Sequence, residues 1–541
     1  MSNIIESSFP LKSSRIDFLN WSKETSGKNI LSCSPKNSAE LLEVINWAAN
    51  NGFKVRPVGI QHNWSRLTID NNADNSDIIL IDMTKHLNAA SIVKNGDNGY
   101  VTAQAGIQME ALVTLLEKKK LGFYSMPAPG DLTLGGVLAI GGHGTGVPSV
   151  DEKLPTGGSW GTVSNNIVEL KAIVWDDSLK KYVLKTFTRN NPEISAFIVH
   201  VGRAFIYEVK LQVPRNKRLR CQSFVNVPIK ELLGPEGEGI RTFASYLDKC
   251  GRAEIIWFPF TTTPWLKIWT ETPTYNSVSK PVHSPFNYPF SDNLPVQVSD
   301  LIKEIDKGFP ELTPSLGNLM LNLVNIGLGA TISGDLWGWS KDLLMYVKPD
   351  TLRVTANGYV IITSRKNIQK VIRDFANKYE NMVEEYKKSD SYPMNGPIEI
   401  RVTGLDNPDD TNIPDAVPAA LSAARPVDTH PEWDVAIWLD NLTMPDTPDS
   451  LKFFKEMEEW VFKHYCGDFA TVRVEWSKGW GYSTKDAWDN ATVIDTYIPA
   501  SLTEGITDGY DWSFAKSVLD KYDPYYLYSS PLTRRLFKAE I

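Results

Sequence analysis

Apolar residues recur along the chain at two spacings, and the spacings divide it into elements. Between Asn37 and Asn51, Leu41, Leu42, Ile45, Ala48 and Ala49 make one helical face. Asn37 with Glu40 three residues on predicts the cap at one end, and Asn51-Gly52 the stop at the other. A strand follows over Phe53–Val58 and ends at Gly59; a second covers Ile78–Ile81. Ile92-Val93 and Tyr100–Ala103 flank Asn95-Gly96-Asp97-Asn98-Gly99, which predicts a hairpin. Gln108–Lys119 reads as a helix with Leu112, Leu115 and Leu116 inward. Ile167–Trp175 and Tyr182–Phe187 read as paired strands, and Phe205–Val213 as another. Further on, the pattern predicts strands at Leu343–Val347, Tyr359–Thr363, Ile398–Val402 and Val435–Leu439, and a long helix over Lys366–Lys388. Residues 1–30 read as an irregular lead-in.

Three stretches break the periodicity. Residues 123–165 hold ten glycines and read as loop, and a loop this long inside a compact domain is usually functional. The Pro-rich stretches 271–296 and 405–433 read as lid or surface loops. At 541 residues the chain exceeds one core. The first ~215 residues read as an α+β unit with mixed strands. Of 17 tryptophans, five fall between Trp257 and Trp339, where they either wall an apolar pocket or fill a large core.

Charge and cysteines narrow the classes. A net charge of -8 and short basic clusters such as Lys118-Lys119-Lys120 argue against a nucleic-acid partner. The four cysteines, Cys33, Cys221, Cys250 and Cys466, stand far apart without a CxxC, so no metal site is expected and buried free thiols are. No apolar run reaches the ~18 residues of a spanning helix, and Met1–Glu6 shows no signal-peptide pattern.

The candidate chemistry lies in two stretches. Arg56-Pro57-Val58-Gly59-Ile60-Gln61-His62-Asn63-Trp64-Ser65 is a strand running into a Gly turn with a histidine at its exit. The other runs from Pro127-Ala128-Pro129-Gly130 to Gly141-Gly142-His143-Gly144-Thr145-Gly146. It is not a Walker loop, since no Gly-Lys-Ser/Thr follows. Its glycines still present backbone N–H groups to a pyrophosphate or flavin edge, or form a plain surface loop. Read alone, His62 is either a structural residue or a flavin contact.

Residues 28–215 resemble the FAD-binding domain of the vanillyl-alcohol-oxidase-like flavoproteins, in the Cys33-Ser34-Pro35 strand, the Arg56-Pro57-x-Gly59-x-x-His62 turn and the 127–146 loop. Most of the chain is similar to the covalent-flavin (type II) cholesterol oxidases. The matching segments include Ala253-Glu254-x-Ile256-Trp257-x-Pro259-Phe260, Phe290–Pro295, Trp337–Asp342, Asn395–Arg401, Trp433–Leu439 and Glu475–Trp480. The resemblance implies an α+β fold: a bipartite PCMH-type FAD-binding domain of two α/β subdomains, with an inserted cap domain built on an antiparallel sheet with helices. The expected division is 1–215 FAD-binding, 216–460 substrate-binding cap, and 461–541 returning to the FAD domain. It implies oxidation of a 3β-hydroxysteroid such as cholesterol to the 3-keto steroid. O2 is reduced to H2O2, and the 5-ene is isomerised to the 4-ene-3-one.

By the same resemblance FAD is joined covalently to His62. Pro57, Val58, Gly59, Ile60, Gln61, Asn63, Ser65, Pro129, Gly130, Thr133, Gly135, Gly136, Gly141, Gly142, His143, Gly144 and Ile206 are the expected cofactor contacts. A carboxylate in an apolar wall has a raised pKa and can move protons, which makes Glu254 the first candidate base; it is otherwise a surface Glu preceding the strand. Glu399 and Arg401 point to one face of a strand, as the family's oxygen-gating pair or as an ordinary exposed pair. Glu475 and Lys478 complete the family's charged cluster, where a cation also stabilises reduced flavin. Two positions depart from the compared family member: Asp440 replaces an Asn, offering another base or a protonated donor, and Ala356 replaces a gating Glu. Implied partners are a sterol and O2, with transient membrane-surface contact through 271–296 or 405–433, in a secreted monomer. The rivals are an alditol or sugar alcohol oxidase, whose cap should offer polar groups, and a non-catalytic lipid-binding protein of the same fold.

Overall fold

The computed structural model describes residues 8–538 apart from 72, 151, 153–156, 238–240, 293–299, 303 and 306–307. Its first sheet is formed by β1 (Ser13–Leu19), β2 (Ser26–Cys33), β3 (Lys54–Val58) and β4 (Ile78–Asp82), in the order β1-β2-β4-β3. The last three strands run parallel and β1 antiparallel. Residues 13–33 are therefore a hairpin where the sequence reads as an irregular lead-in, and residues 1–7 lie outside the described residues. Ile16 and Phe18 alternate into the Phe18-Ile30-Val58-Leu80 cluster while the polar partners face out. The capped helix forms over Ser38–Asn50, with the Asn37 side chain accepting from the Glu40 amide at 3.0 Å.

The second sheet is antiparallel: β5 (Ala90–Asn95), β6 (Asn98–Gln104), β7 (Ile167–Asp176), β8 (Lys181–Thr188) and β9 (Phe205–Val213), in the order β5-β6-β9-β7-β8. The expected helix appears as Met109–Glu117. Between that helix and β7 the Gly-rich stretch is not all loop. It contains a short helix, Leu134–Ala139, and a 3₁₀ turn, Val163–Asn166, whose Leu134, Val137, Leu138 and Val163 are buried.

The cap is a nine-stranded sheet of β10 (Arg218–Phe224), β11 (Arg252–Trp257), β12 (Trp265–Glu271), β13 (Lys280–Pro281), β14 (Asp335–Trp339), β15 (Thr355–Thr363), β16 (Ile398–Thr403), β17 (Val435–Thr443) and β18 (Thr471–Val474). The order is β13-β14-β10-β12-β11-β16-β17-β15-β18, antiparallel except at β13·β14. The long helix covers Ile368–Lys388. The predicted strand at Leu343–Val347 is instead the end of a helix, Ser340–Leu344, followed by irregular chain. Three of its residues are buried by tertiary contact, and that contact, not a strand period, explains the apolar run.

Residues after 461 first add β18 to the nine-stranded sheet, then pack on the first sheet. The Leu527 carbonyl accepts from the Val55 amide at 2.9 Å, and Tyr528 is buried among the residues flanking β2 and β4. The stretch 405–433 is surface loop at its two ends, where Asn407, Asp409, Asn412, Pro431 and Glu432 are exposed, but not in its middle. Ala419, Ala420, Leu421, Ala424 and Val427 are buried, and Arg189 donates to the Val417 carbonyl at 3.0 Å. Stretch 271–296, and with it the Phe290–Pro295 segment, lies partly outside the described residues. Cys33, Cys221 and Cys250 are buried free thiols as expected; Cys466 is free but exposed. Among the described residues no helix is long and apolar enough to cross a membrane, and no cluster has a metal-ligand arrangement.

Candidate active site

A cavity of about 480 Å³ runs between the loops at 57–63 and 127–144 and the nine-stranded sheet, in the usual small-molecule range of about 300–1,000 Å³. One wall comes from residues 57–63 and from Pro129, Thr133, Gly135, Gly136, Gly141–Gly144 and Ile206. The other wall is apolar: Ile256, Phe258, Trp265, Trp269, Met320 and Leu323, with Tyr346 beside them. Glu399, Arg401, Glu475 and Lys478 also face it.

The first wall has room for backbone but not for side chains. A Cβ on Gly59 would meet Thr133 Oγ1 at 2.2 Å, and one on Gly144 would meet the Met126 carbonyl oxygen at 2.4 Å. Gln61 turns the chain at φ 61°. After it, His62 stacks on Trp21 with centroids 4.7 Å apart and planes at 17°. His62 Nδ1 is buried without a hydrogen-bond partner among the described residues. Burial, aided by the charges of Lys478 and Arg353, pulls the His62 pKa down to about 4, so the imidazole is neutral near pH 7. An unpartnered neutral ring nitrogen beside glycine-lined backbone suits FAD.

The charged residues come from sheet register. Lys267, Glu254, Arg401 and Trp438 stand in one cross-strand row over β12, β11, β16 and β17. Ile256, Glu399, Asp440 and Gly358 form the next row on the same face. Arg401 joins three carboxylates: Nε to Glu254 Oε1 at 2.7 Å, Nη2 to Glu399 Oε2 at 2.6 Å and Nη1 to Asp440 Oδ2 at 3.2 Å. Lys478 Nζ lies 3.3 Å from Asp440 Oδ2 and 3.9 Å from Glu475 Oε1. Burial and the Glu475 charge hold the Asp440 carboxyl well above the carboxylate range. Burial opposes ionisation of Glu475 too, but Lys478 and His143 outweigh it and pull that pKa down. Of this pair Asp440 is the carboxyl that burial and its neighbour make harder to ionise, and Glu475 the one its cation favours. Glu399 behaves like Glu475: burial raises its pKa, and Arg401 and Lys478 bring it below the usual value.

The loop 127–146 is stitched to these strands. The Gly146 amide donates to the Val402 carbonyl at 2.8 Å, and Thr145 Oγ1 to the Ala253 carbonyl at 2.7 Å. His143 stacks on Trp438 with centroids 3.5 Å apart and has Nε2 3.7 Å from Glu475 Oε1. The loop is thereby fixed against the strands that carry Glu254 and Arg401.

Four expected site residues do not reach the cavity wall. Ser65 turns away, donating to the Trp476 carbonyl at 2.7 Å. Gly130 packs against Glu110 and Met345. Glu254 and Asp440 are buried behind Arg401, with no exposed surface on Glu254. Ala356 fills an apolar cluster with Trp64, Val354 and Leu442. Two residues escaped the sequence reading. Lys267 alternates with Trp265 and Trp269, so Trp-Leu-Lys-Ile-Trp carried a legible signal: one lysine on a tryptophan face. Tyr346 carried none, because its place depends on a helix end.

Residues 218–538 match the family model "Cholesterol oxidase, substrate-binding". The chain belongs to this family. Residues 31–179 match an FAD-binding domain model. A solvent-stable cholesterol oxidase structure is 48% identical, with a TM-score of 0.97 over 98% of this chain and 99% of that one. A cholesterol oxidase from B. sterolicum is 39% identical, with a TM-score of 0.96 over 98% of each chain. L-gulonolactone oxidase of Mus musculus is 27% identical over 246 residues, 45% of this chain and 49% of that protein. The chain thus spans about half the length of this curated relative. The α+β architecture of an FAD-binding domain with a substrate-binding domain is that of the cholesterol oxidase structures.

Proposed function

We propose that this chain is an FAD-dependent sterol oxidase that converts a 3β-hydroxysteroid, cholesterol in particular, to the 3-keto steroid. O2 becomes H2O2, and the 5-ene moves to the conjugated 4-ene-3-one. The observation that carries this is a cavity with a glycine-lined wall on one side and a tryptophan-rich apolar wall on the other. A fused-ring hydrocarbon with one hydroxyl gains from burial against such a wall. A polyol would leave its hydroxyls unpaired there, which disfavours the alditol oxidase reading.

Bound FAD supplies the two-electron acceptor and the site of O2 reduction. The residues of the chain do the rest. His62 holds the cofactor through a covalent bond from its ring nitrogen, which a neutral imidazole can form. Arg401 and Lys478 present positive charge to the cavity and hold Glu399 and Glu475 ionised. Glu399 and Arg401, which pair at 2.6 Å on the wall, gate access for O2. Asp440 is harder to ionise than Glu475, which lessens the repulsion between the carboxyl groups that share this corner.

The test is direct. A yellow protein whose colour survives acid precipitation, with H2O2 and an absorbing enone formed from cholesterol and none from sorbitol, is expected. Colour lost to the supernatant defeats the covalent bond alone; peroxide from sorbitol and not cholesterol defeats the substrate. We extend the reading to a monomer, which light scattering on the purified protein checks.

A further inference from the structure

A cation behind the cavity wall has no part in the mechanism above. Lys267 lies between Trp265 and Trp269 on β12, opposite Glu254 on β11. Its side chain is fully buried, and Nζ makes no hydrogen bond among the described residues. The ring centroids of Tyr346, Tyr288, Trp269 and Trp265 lie 2.9, 4.7, 4.9 and 5.1 Å from Nζ. Glu254 Oε2 is 3.9 Å away. Burying an ammonium costs several kcal/mol unless an opposite charge offsets it, and burial accordingly draws the Lys267 pKa down to about 8. A tryptophan-lined strand has no packing need for an amine: methionine has a similar length.

The charge has a target. Glu254 Oε2 accepts a hydrogen bond from the Tyr346 hydroxyl. Tyr346 lines the cavity, and Glu254 does not. The polar side chains that face Glu254 are Lys267 from β12, Arg401 from β16, and Tyr346 from the chain after the Ser340–Leu344 helix. Cys221 on β10 adds a weaker interaction with both Glu254 and Lys267. Arg401 is itself divided among Glu254, Glu399 and Asp440, while Lys267 has Glu254 as its one salt-bridge partner among the described residues.

We propose that Tyr346 is the catalytic residue that meets the reacting hydroxyl, with Glu254 behind it as proton acceptor and Lys267 as the positioning cation that pairs with Glu254. This rests on the sterol-oxidase reading above. In the oxidation the alcohol O–H bond breaks and its proton passes to the Tyr346 oxygen, as the tyrosine proton passes to Glu254 Oε2. The C3–H bond breaks with its electron pair, which leaves as hydride for FAD while the C=O bond forms. The two electrons then go to O2, and the proton stored on Glu254 returns through Tyr346 to supply the one that H2O2 formation needs. The short relay explains how a carboxylate without cavity access takes part.

The experiment is anaerobic rapid mixing of the FAD-loaded protein with cholesterol from about pH 5 to 9, following flavin bleaching. Tyr346→Phe is expected to slow reduction at least about tenfold, with FAD content and thermal midpoint unchanged. Lys267→Met removes the positive charge 3.9 Å from Glu254, and the acid limb of the rate profile moves up in pH. Lys267→Arg returns it toward wild type; a purely structural lysine would leave the limb in place. Should the methionine variant not fold, the solvent deuterium isotope effect on reduction decides, since the relay requires one that Tyr346→Phe abolishes. Wild-type reduction rates in Tyr346→Phe, or an unmoved acid limb in Lys267→Met, overturn the relay. A wild-type protein that cholesterol does not bleach overturns the sterol-oxidase reading instead.

Discussion

His62 is held by neighbours that no local pattern announces. Trp21 stacks on its ring, Arg353 lies over Trp21 at 4.5 Å from that ring's centroid, and Trp64 meets His62 edge-on at 6.0 Å. His62→Ala is expected to leave FAD bound but extractable by acid, read as fluorescence in the supernatant. The lowered pKa also has a stability consequence. The folded state resists protonation down to about 4, whereas the unfolded histidine protonates near 6.5. Its stabilising contribution is therefore complete above pH 6.5 and is lost as pH falls toward 4. In protein prepared without FAD, where His62 is a free imidazole, the urea midpoint of the wild type should fall more steeply over this window than that of His62→Gln. Glu254→Gln keeps the shape and removes the charge, so turnover should drop by about 10²-fold or more with FAD content unchanged. Steady-state peroxide release checks it, and unchanged turnover removes Glu254 from the mechanism.

Among elements, β15 and β17 show how a strand pair makes a site. Gly358 faces Asp440, and a Cβ there would lie 2.6 Å from Asp440 Oδ1 and 2.7 Å from Lys478 Cγ. Gly358→Ala should therefore displace the Asp440–Lys478 pair and cost about 1–3 kcal/mol. A urea titration with parallel turnover measurements tests both effects. β12 carries its information in alternation: Trp265, Lys267 and Trp269 share a face, whereas Leu266 and Ile268 face away. The Ser340–Leu344 helix shows the opposite case. Its apolar run has no strand period, and its position is set by contacts such as the Ser340 Oγ bond to Asn216 at 2.7 Å.

At the scale of the whole molecule, the far end of the chain closes the FAD side. Asp523 accepts from Arg203 Nη1 at 2.9 Å, from the Tyr182 hydroxyl at 2.7 Å and from the Leu527 and Tyr528 amides at 2.8 and 3.1 Å. Both Asp523 and Arg203 are buried. Asp523→Ala leaves a buried guanidinium short of one partner and should cost about 3 kcal/mol or more. A urea-unfolding difference below about 1 kcal/mol would show that the clasp is not a stability determinant.

The sequence by itself determined the strands with clear alternation, the capped helix, the glycine stretches and the tryptophan-rich cap. These follow from backbone sterics and periodicity, which act over a few residues. Resemblance added the FAD domain and the chemistry to look for. Only the tertiary structure decided which charges meet. The Arg401 cluster joins residues from β11, β16 and β17, and its geometry depends on a register that one residue of slip would invert. Only the tertiary structure withdrew Glu254 and Asp440 from the cavity and brought Tyr346 to it. It also buried the middle of 405–433, from Val417 to Arg425, whose partners lie elsewhere in the chain although the proline-rich composition reads as surface. Burial and pairing are properties of distant neighbours, and no local pattern records them.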